Sequence, residues 1–232
     1  MFNVPGVVLA LALTMTAVHA FTVWGPVDSE QIMVLFAFLP ARGFLDSTLA
    51  PFPAWALEGA EWWTYVTYGL LHADWMHLAL NVLFMLAFGS FVARRLGPLR
   101  FLLLSAAGAA AGAAAYLALH AGEIAVLIGA SAAVSAQVAG AARLMFARAG
   151  ALRHMREREI RNVRTLSLRE TFRHRPALTF ILAWLGINVI FGVTGIGTQG
   201  QGQVAWEAHL GGFAVGLLLF GVFDRRSTPA DV

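Results

Sequence analysis

The chain contains no cysteine and no lysine, and it has few charged residues. It has no cysteine, which excludes disulfides, thiolate chemistry and cysteine-based metal sites. It has no lysine either, so all sixteen of its basic residues are arginine. Charged residues make up only 12% of its 232 residues, against roughly 25% in a soluble domain. A chain with so little charge cannot cover a water-facing surface.

The chain consists largely of long hydrophobic runs. Hydrophobic residues make up 59% of the chain, and its mean hydropathy is +0.70. A helix crosses a bilayer core with about 20 apolar residues. We therefore predict an all-α polytopic membrane protein, a single domain over residues 1–232 with six transmembrane helices. The predicted spans are residues 4–24, 75–93, 99–120, 124–146, 177–197 and 204–223.

The arginines predict how these spans are oriented. Fifteen of the sixteen lie in the regions 94–100, 143–175 and 225–226, at the ends of spans that face one side, and only Arg42 lies on the other side. Arginine-rich loops stay in the cytoplasm. Both termini and the loop at 147–176 are then cytoplasmic, and residues 25–74 form a large first outer loop. The pI near 10.2 reflects this asymmetry and contact with anionic membrane lipids, not nucleic-acid binding.

Three shorter segments carry their own expectations. The apolar run 32–39 is too short to span and predicts an interfacial or buried loop helix. The Gly- and Gln-rich residues 195–203 predict an outer turn. Residues 17–20 resemble a signal-peptidase site, but no basic residue precedes the apolar run, so we expect it to be kept as the first span.

Polar segments at 72–81, 129–131 and 208–212 interrupt the apolar sequence. The predicted topology places all three near the outer ends of the second, fourth and sixth spans. Ser131 would lie about seven residues into its span, or roughly 10 Å at 1.5 Å per residue. Polar groups at such depth are costly and point to function. Their agreement in leaflet and depth predicts one shared site.

Ser131 and His209 predict a nucleophile and its base. A hydroxyl beside an imidazole base is an activated nucleophile. His209 shares a helical face with Gly212, and Gly212 and Gly216 form a small face that lets the fourth span approach. Taken singly, such a serine usually bonds a carbonyl and such glycines usually serve packing. Glu207 lies on another face, so we predict a dyad without a third, carboxylate member.

His72, His77 and Asn81 predict support for that site. His77 and Asn81 are four residues apart, share a helical face and offer donors to an oxyanion. His72 precedes the helix and could tie the loop down. A metal site of His72, Asp74 and His77 is the alternative, but the spacing suits a common ligand face poorly. We expect neither a metal nor another cofactor.

In combination, these segments resemble the rhomboid intramembrane serine proteases. The matching residues are Leu71 and His72, His77, Leu78 and Asn81, then Gly129 and Ser131, then Ala208, His209, Gly212 and Gly216. The resemblance covers about residues 55–223 and implies a six-helix rhomboid-like bundle. It also implies that Ser131 is the nucleophile, that His209 is the general base, and that His77, Asn81 and the Ser131 amide stabilise the oxyanion.

The resemblance further implies a substrate and a location. The substrate would be the transmembrane helix of another membrane protein, cleaved without metal or nucleotide. His72 would be a structural or site-proximal residue. The compact, lysine-free chain suggests a bacterial inner membrane. Its oligomeric state is left open.

Three positions depart from the family's pattern. Ala132 replaces the glycine that usually follows the serine, Ser135 replaces an aromatic residue against the histidine ring, and Thr64 follows Trp63 where an arginine is usual. Ala132 favours the alternative of a catalytically inactive rhomboid-like protein that binds membrane clients. An unrelated transporter or channel would show repeated halves or a midplane carboxylate, and the sequence has neither.

Overall fold

The computed structural model describes residues 4–44, 59–146, 160, 163–194 and 205–224. These residues contain no strand, and a single bridge pairs Phe38 with Leu127. The prediction of an all-α fold is confirmed. We number the helices α1 Gly6–Trp24, α2 Ser29–Phe36, α3 Ala60–Thr67, α4 Trp75–Leu96, α5 Pro98–His120, α6 Ser131–Met145, α7 Leu168–Arg173, α8 Arg175–Thr194 and α9 Trp206–Phe223.

Five of these helices, α1, α4, α5, α8 and α9, are long and apolar enough to cross a membrane. Their outer surfaces expose large apolar side chains; Leu13 is 60% exposed, Leu182 59% and Val222 68%. Such surfaces suit hydrocarbon and not water. Outside the described residues lie the predicted outer turn at 195–203, half of the loop at 147–176, and the two arginines Arg225 and Arg226.

The fourth predicted span needs a correction. We expected a helix over 124–146, but α6 begins only at Ser131 and has 15 residues. The preceding segment is extended, because the backbones of Leu127 and Phe38 exchange hydrogen bonds of 2.9 and 3.2 Å. Ser131 is therefore the first residue of its helix and not a residue two turns inside it.

Local signals place the start of α4 beside this segment. The Asp74 side chain accepts a hydrogen bond from the backbone N–H of His77 at 2.8 Å, which caps the helix. The other end of α4 is followed by Gly97, whose φ is 79°, and Pro98 then opens α5. These signals put His77 and Asn81 in the first turns of α4.

The first outer loop contains ordered elements. The run predicted at 32–39 forms α2 through Phe36 and continues extended. Arg42 is buried and donates to the carbonyl of Val34 at 2.5 Å. The Tyr68 hydroxyl donates to the carbonyl of Ala109 on α5 at 2.8 Å. Thr64, at the position of the missing arginine, is buried and donates to its own helix.

The core of the bundle is α6, with twelve of its fifteen residues buried. Its small side chains let α5 and α9 come close. A Cβ added to Gly216 of α9 would overlap the backbone of Ala136, and one added to Gly108 of α5 would overlap the Ala136 methyl. Inside the core, Nε2 of Gln137 donates a hydrogen bond to the Ser105 hydroxyl at 3.0 Å.

A buried ion pair joins the ends of α4 and α9 that lie away from Ser131. Arg95 binds Asp224 through two hydrogen bonds of 2.8 and 3.1 Å, and both side chains are 1% exposed. The Thr165 hydroxyl donates to the same carboxylate at 2.5 Å. A buried charge needs such partners, so this network holds the two helix ends together.

We expect Gly216→Ala to destabilise the protein, because the new methyl would meet backbone atoms of Ala136 that cannot move aside. Overpacking of this kind costs about 1–3 kcal/mol. The thermal-unfolding midpoint in detergent should fall. Gly186→Ala on α8 is the control, since nothing lies within 4 Å of its added Cβ. Equal midpoints for the two variants would contradict this packing.

We expect Asp224→Ala to lower the same midpoint more strongly, because it removes the carboxylate that faces the buried Arg95. Removing one partner of a buried pair costs about 3–5 kcal/mol. Arg164→Ala, which breaks an ion pair whose arginine is 74% exposed, should leave the midpoint nearly unchanged. A small effect of Asp224→Ala would show that the pair does not hold these helices.

Candidate active site

The structure brings Ser131 and His209 into hydrogen-bonding contact. Nε2 of His209 lies 2.7 Å from Oγ of Ser131, although 78 positions separate them in sequence. Ser131 opens α6, and His209 lies in the first turn of α9. Both side chains are partly buried. This distance is the usual one for a strong hydrogen bond to a hydroxyl.

Glycines on α9 make this contact possible. A Cβ on Gly212 would overlap the carbonyl group of Ala132, so the two helix backbones touch directly below the pair. The Ala132 methyl itself faces Gly112 of α5, where a second Cβ would overlap it. The departure from the family's glycine at 132 is therefore accommodated by a glycine on the neighbouring helix.

A sharp turn at Gly129 delivers the chain to Ser131. Its φ of 111° lies in the region that favours glycine, and its N–H donates to the carbonyl of Tyr68 at 3.1 Å. The ring of His77 lies against it, so a Cβ at 129 would come within 2.6 Å of Cε1 and Nε2. Any larger residue would collide with the His77 ring.

The start of α6 leaves backbone donors beside the Ser131 hydroxyl. The hydrogen bond from the Val134 N–H to the carbonyl of Ala130, at 2.9 Å, closes the first turn. The amides of residues 131–133 therefore have no partner within the helix, and the helix dipole adds partial positive charge there. Such a terminus favours a negative oxygen.

The three remaining predicted residues differ in how they face the site. Nδ1 of His77 accepts from the N–H of Ala73 at 3.4 Å, which leaves Nε2 as the donor on the side of Gly129. Asn81 is buried, and its amide donates to the carbonyl of His77 at 3.0 Å. Asn81 thus bonds the turn that carries His77.

His72 lies behind His77, with their ring centroids 5.1 Å apart. It is 2% exposed, and burial lowers the pKa of its imidazole to about 3, with the neighbouring His77 adding to the effect. A ring with this pKa is neutral at physiological pH. Among the described residues, no group of three His, Cys, Asp or Glu side chains is arranged to hold a metal ion.

Asn188 of α8 is a site residue that sequence reasoning missed. Its Oδ1 lies 2.5 Å from Nδ1 of His209, on the side of the ring opposite Ser131. The available signal was an amide within an otherwise apolar span. Glu207, in contrast, lies 3.4 Å from Nε2 of His120. The third residue at this ring is an amide and not a carboxylate.

A comparison with protein families agrees with the resemblance seen in the sequence. The family model for the Rhomboid domain matches residues 59–226, more than half of the chain. That range contains the Ser131–His209 pair and all of α3 to α9. A comparison with curated proteins found no match. On the strength of the domain match, the chain belongs to the rhomboid family.

Proposed function

We propose that this integral membrane protein is an intramembrane serine protease that cleaves transmembrane helices of other membrane proteins. The observation that carries the proposal is the 2.7 Å contact between Ser131 Oγ and His209 Nε2. A serine hydroxyl in that position can pass its proton to the imidazole as it attacks a carbonyl carbon. Rhomboid proteins are usually proteases of this kind, and family membership supports the same reading.

In the proposed reaction, Oγ of Ser131 bonds to the carbonyl carbon of the scissile peptide, and Nε2 of His209 takes the hydroxyl proton. The C–N bond then breaks as the imidazolium returns that proton to the leaving amine. Water hydrolyses the resulting ester in a second cycle, with His209 again as the base. The cycle needs no metal or nucleotide.

The negative oxygen of the intermediate has donors on two sides. The free amides at the start of α6 lie on one side, and Nε2 of His77 lies across Gly129. We assign Asn81 and His72 to the support of His77, since Asn81 bonds its carbonyl and His72 packs beside its ring. Preorganised donors of this kind are the largest single contribution in many acyl transfers.

We further propose that the site opens toward the outside of a bacterial inner membrane, with both termini in the cytoplasm. Arg94 and Arg95 lie at the end of α4 remote from His77, and Arg100 reaches the carbonyl of Phe223 at the far end of α9. The arginine-rich end of the bundle is therefore opposite the Ser131 end. The positive-inside rule then sets the orientation.

A fluorophosphonate probe should label the detergent-solubilised protein, because it reacts with an activated serine hydroxyl. Ser131→Ala should abolish labelling, and gel fluorescence measures it. Ser135→Ala, one turn further along α6, is the matched control and should keep the label. Labelling that survives Ser131→Ala would refute the assignment of Ser131 as the nucleophile.

Cleavage of a model transmembrane substrate in liposomes tests the base. We expect His209→Ala to lower turnover by at least about 10²-fold, because a positioned base contributes roughly 10²–10⁴-fold. The control is His174→Ala, since the His174 ring packs against Phe146 at the other end of α6, away from Ser131. A folded wild-type protein that binds the substrate helix without label or cleavage would instead establish the inactive rhomboid-like alternative.

A further inference from the structure

Asn188 is fixed by two hydrogen bonds that point in different directions. Its Nδ2 donates to the carbonyl of Trp184, one turn earlier in α8, at 2.7 Å. Its Oδ1 lies 2.5 Å from Nδ1 of His209 on α9. The two bonds join an amide on one helix to the imidazole of the next.

The hydrogen bond to Trp184 determines which atom of the Asn188 amide faces His209. If the Asn188 amide were flipped, its oxygen would lie 2.7 Å from the Trp184 carbonyl oxygen, and two acceptors repel at that distance. The oxygen therefore faces His209 and can only accept. Nδ1 of the neutral His209 ring must then carry the ring's proton.

The position of that proton decides how the ring meets Ser131. With the proton on Nδ1, the lone pair of Nε2 points at Oγ of Ser131, 2.7 Å away. The other tautomer would present an N–H to the serine and could not accept its proton. A partner that fixes the tautomer and the ring plane is what a base in a serine protease requires.

We propose that Asn188 is a positioning residue that holds His209 in the Nδ1–H tautomer and in the ring plane that faces Ser131. The proposal rests on the proposed function of the Ser131–His209 pair. Asn188 takes no part in proton transfer itself. Position 135, one turn beyond Ser131, is a small, buried serine and carries no ring.

The kinetic test compares Asn188→Leu with Thr194→Val. The leucine has a similar size but no acceptor. Thr194 also lies on α8 and bonds the carbonyl four residues back, at 2.6 Å, as Asn188 does. We expect Asn188→Leu to slow fluorophosphonate labelling roughly ten- to a hundredfold, a part of the 10²–10⁴-fold that a positioned base contributes. Thr194→Val should label at the wild-type rate.

Substrate cleavage should separate a positioning role from a merely structural one. A ring held in the wrong tautomer weakens the transition state and not substrate binding, so Asn188→Leu should lower kcat with KM unchanged. A variant with loosened helices would instead raise KM or lower the unfolding midpoint. Wild-type labelling and kcat in a folded Asn188→Leu variant would overturn the proposal.

Nitrogen-15 NMR of histidine-labelled protein tests the tautomer without depending on activity. The His209 resonances are identified by their loss in His209→Ala. We expect the wild-type protein, and equally Ser131→Ala, to show a protonated Nδ1 and an unprotonated Nε2. Asn188→Leu should show exchange between both tautomers. An unprotonated Nδ1 in the wild-type protein would overturn the inference, even if Asn188→Leu failed to fold.

The two proposals can fail separately. If the wild-type protein takes no label while its His209 ring shows the Nδ1–H tautomer, the protease function falls and the assigned contact with Asn188 stands as structure alone. If labelling depends on Ser131 but is indifferent to Asn188→Leu, the protease function stands and the positioning role falls.

Discussion

The close approach of α9 to α6 is the constraint on which the site depends. Gly212 and Gly216 bring the α9 backbone against Ala132 and Ala136, and no Cβ fits at either glycine. In a membrane, helices associate through such packing and through interhelical hydrogen bonds, because lipid is as apolar as the side chains. The same contact sets the 2.7 Å distance between Ser131 and His209. Stability and site geometry therefore share one interface.

The two ends of this interface hold α9 by different chemistry. At one end the charged Arg95 and Asp224 are buried together, which makes the loss of either partner costly. At the other end Ser131, His209 and Asn188 bond through neutral groups. Neutral hydrogen bonds cost less to rearrange than an ion pair. The ion pair thus stabilises the arginine-rich end of the bundle. The groups that must change protonation lie at the opposite end, with Ser131.

Sequence patterns predicted the five long apolar helices, because apolar length reports directly on a membrane. The depth of Ser131 and His209 in the bilayer stays a prediction. Sequence patterns could not predict where α6 begins. The apolar residues 124–130 have the same hydropathy whether extended or helical, and only tertiary pairing of Leu127 with Phe38 decides between the two. Asn188 was missed for a related reason. The partner of a single amide in an apolar span cannot be predicted before α8 is known to lie beside α9.

The place of Asn188 makes the histidine depend on three helices and not two. α6 supplies the hydroxyl, α9 the ring, and α8 the acceptor that orients it. A shift of α8 by one residue, about 1.5 Å along its axis, would break a 2.5 Å hydrogen bond. The register of α8 is therefore part of the site, although no atom of α8 lies between Ser131 and His209.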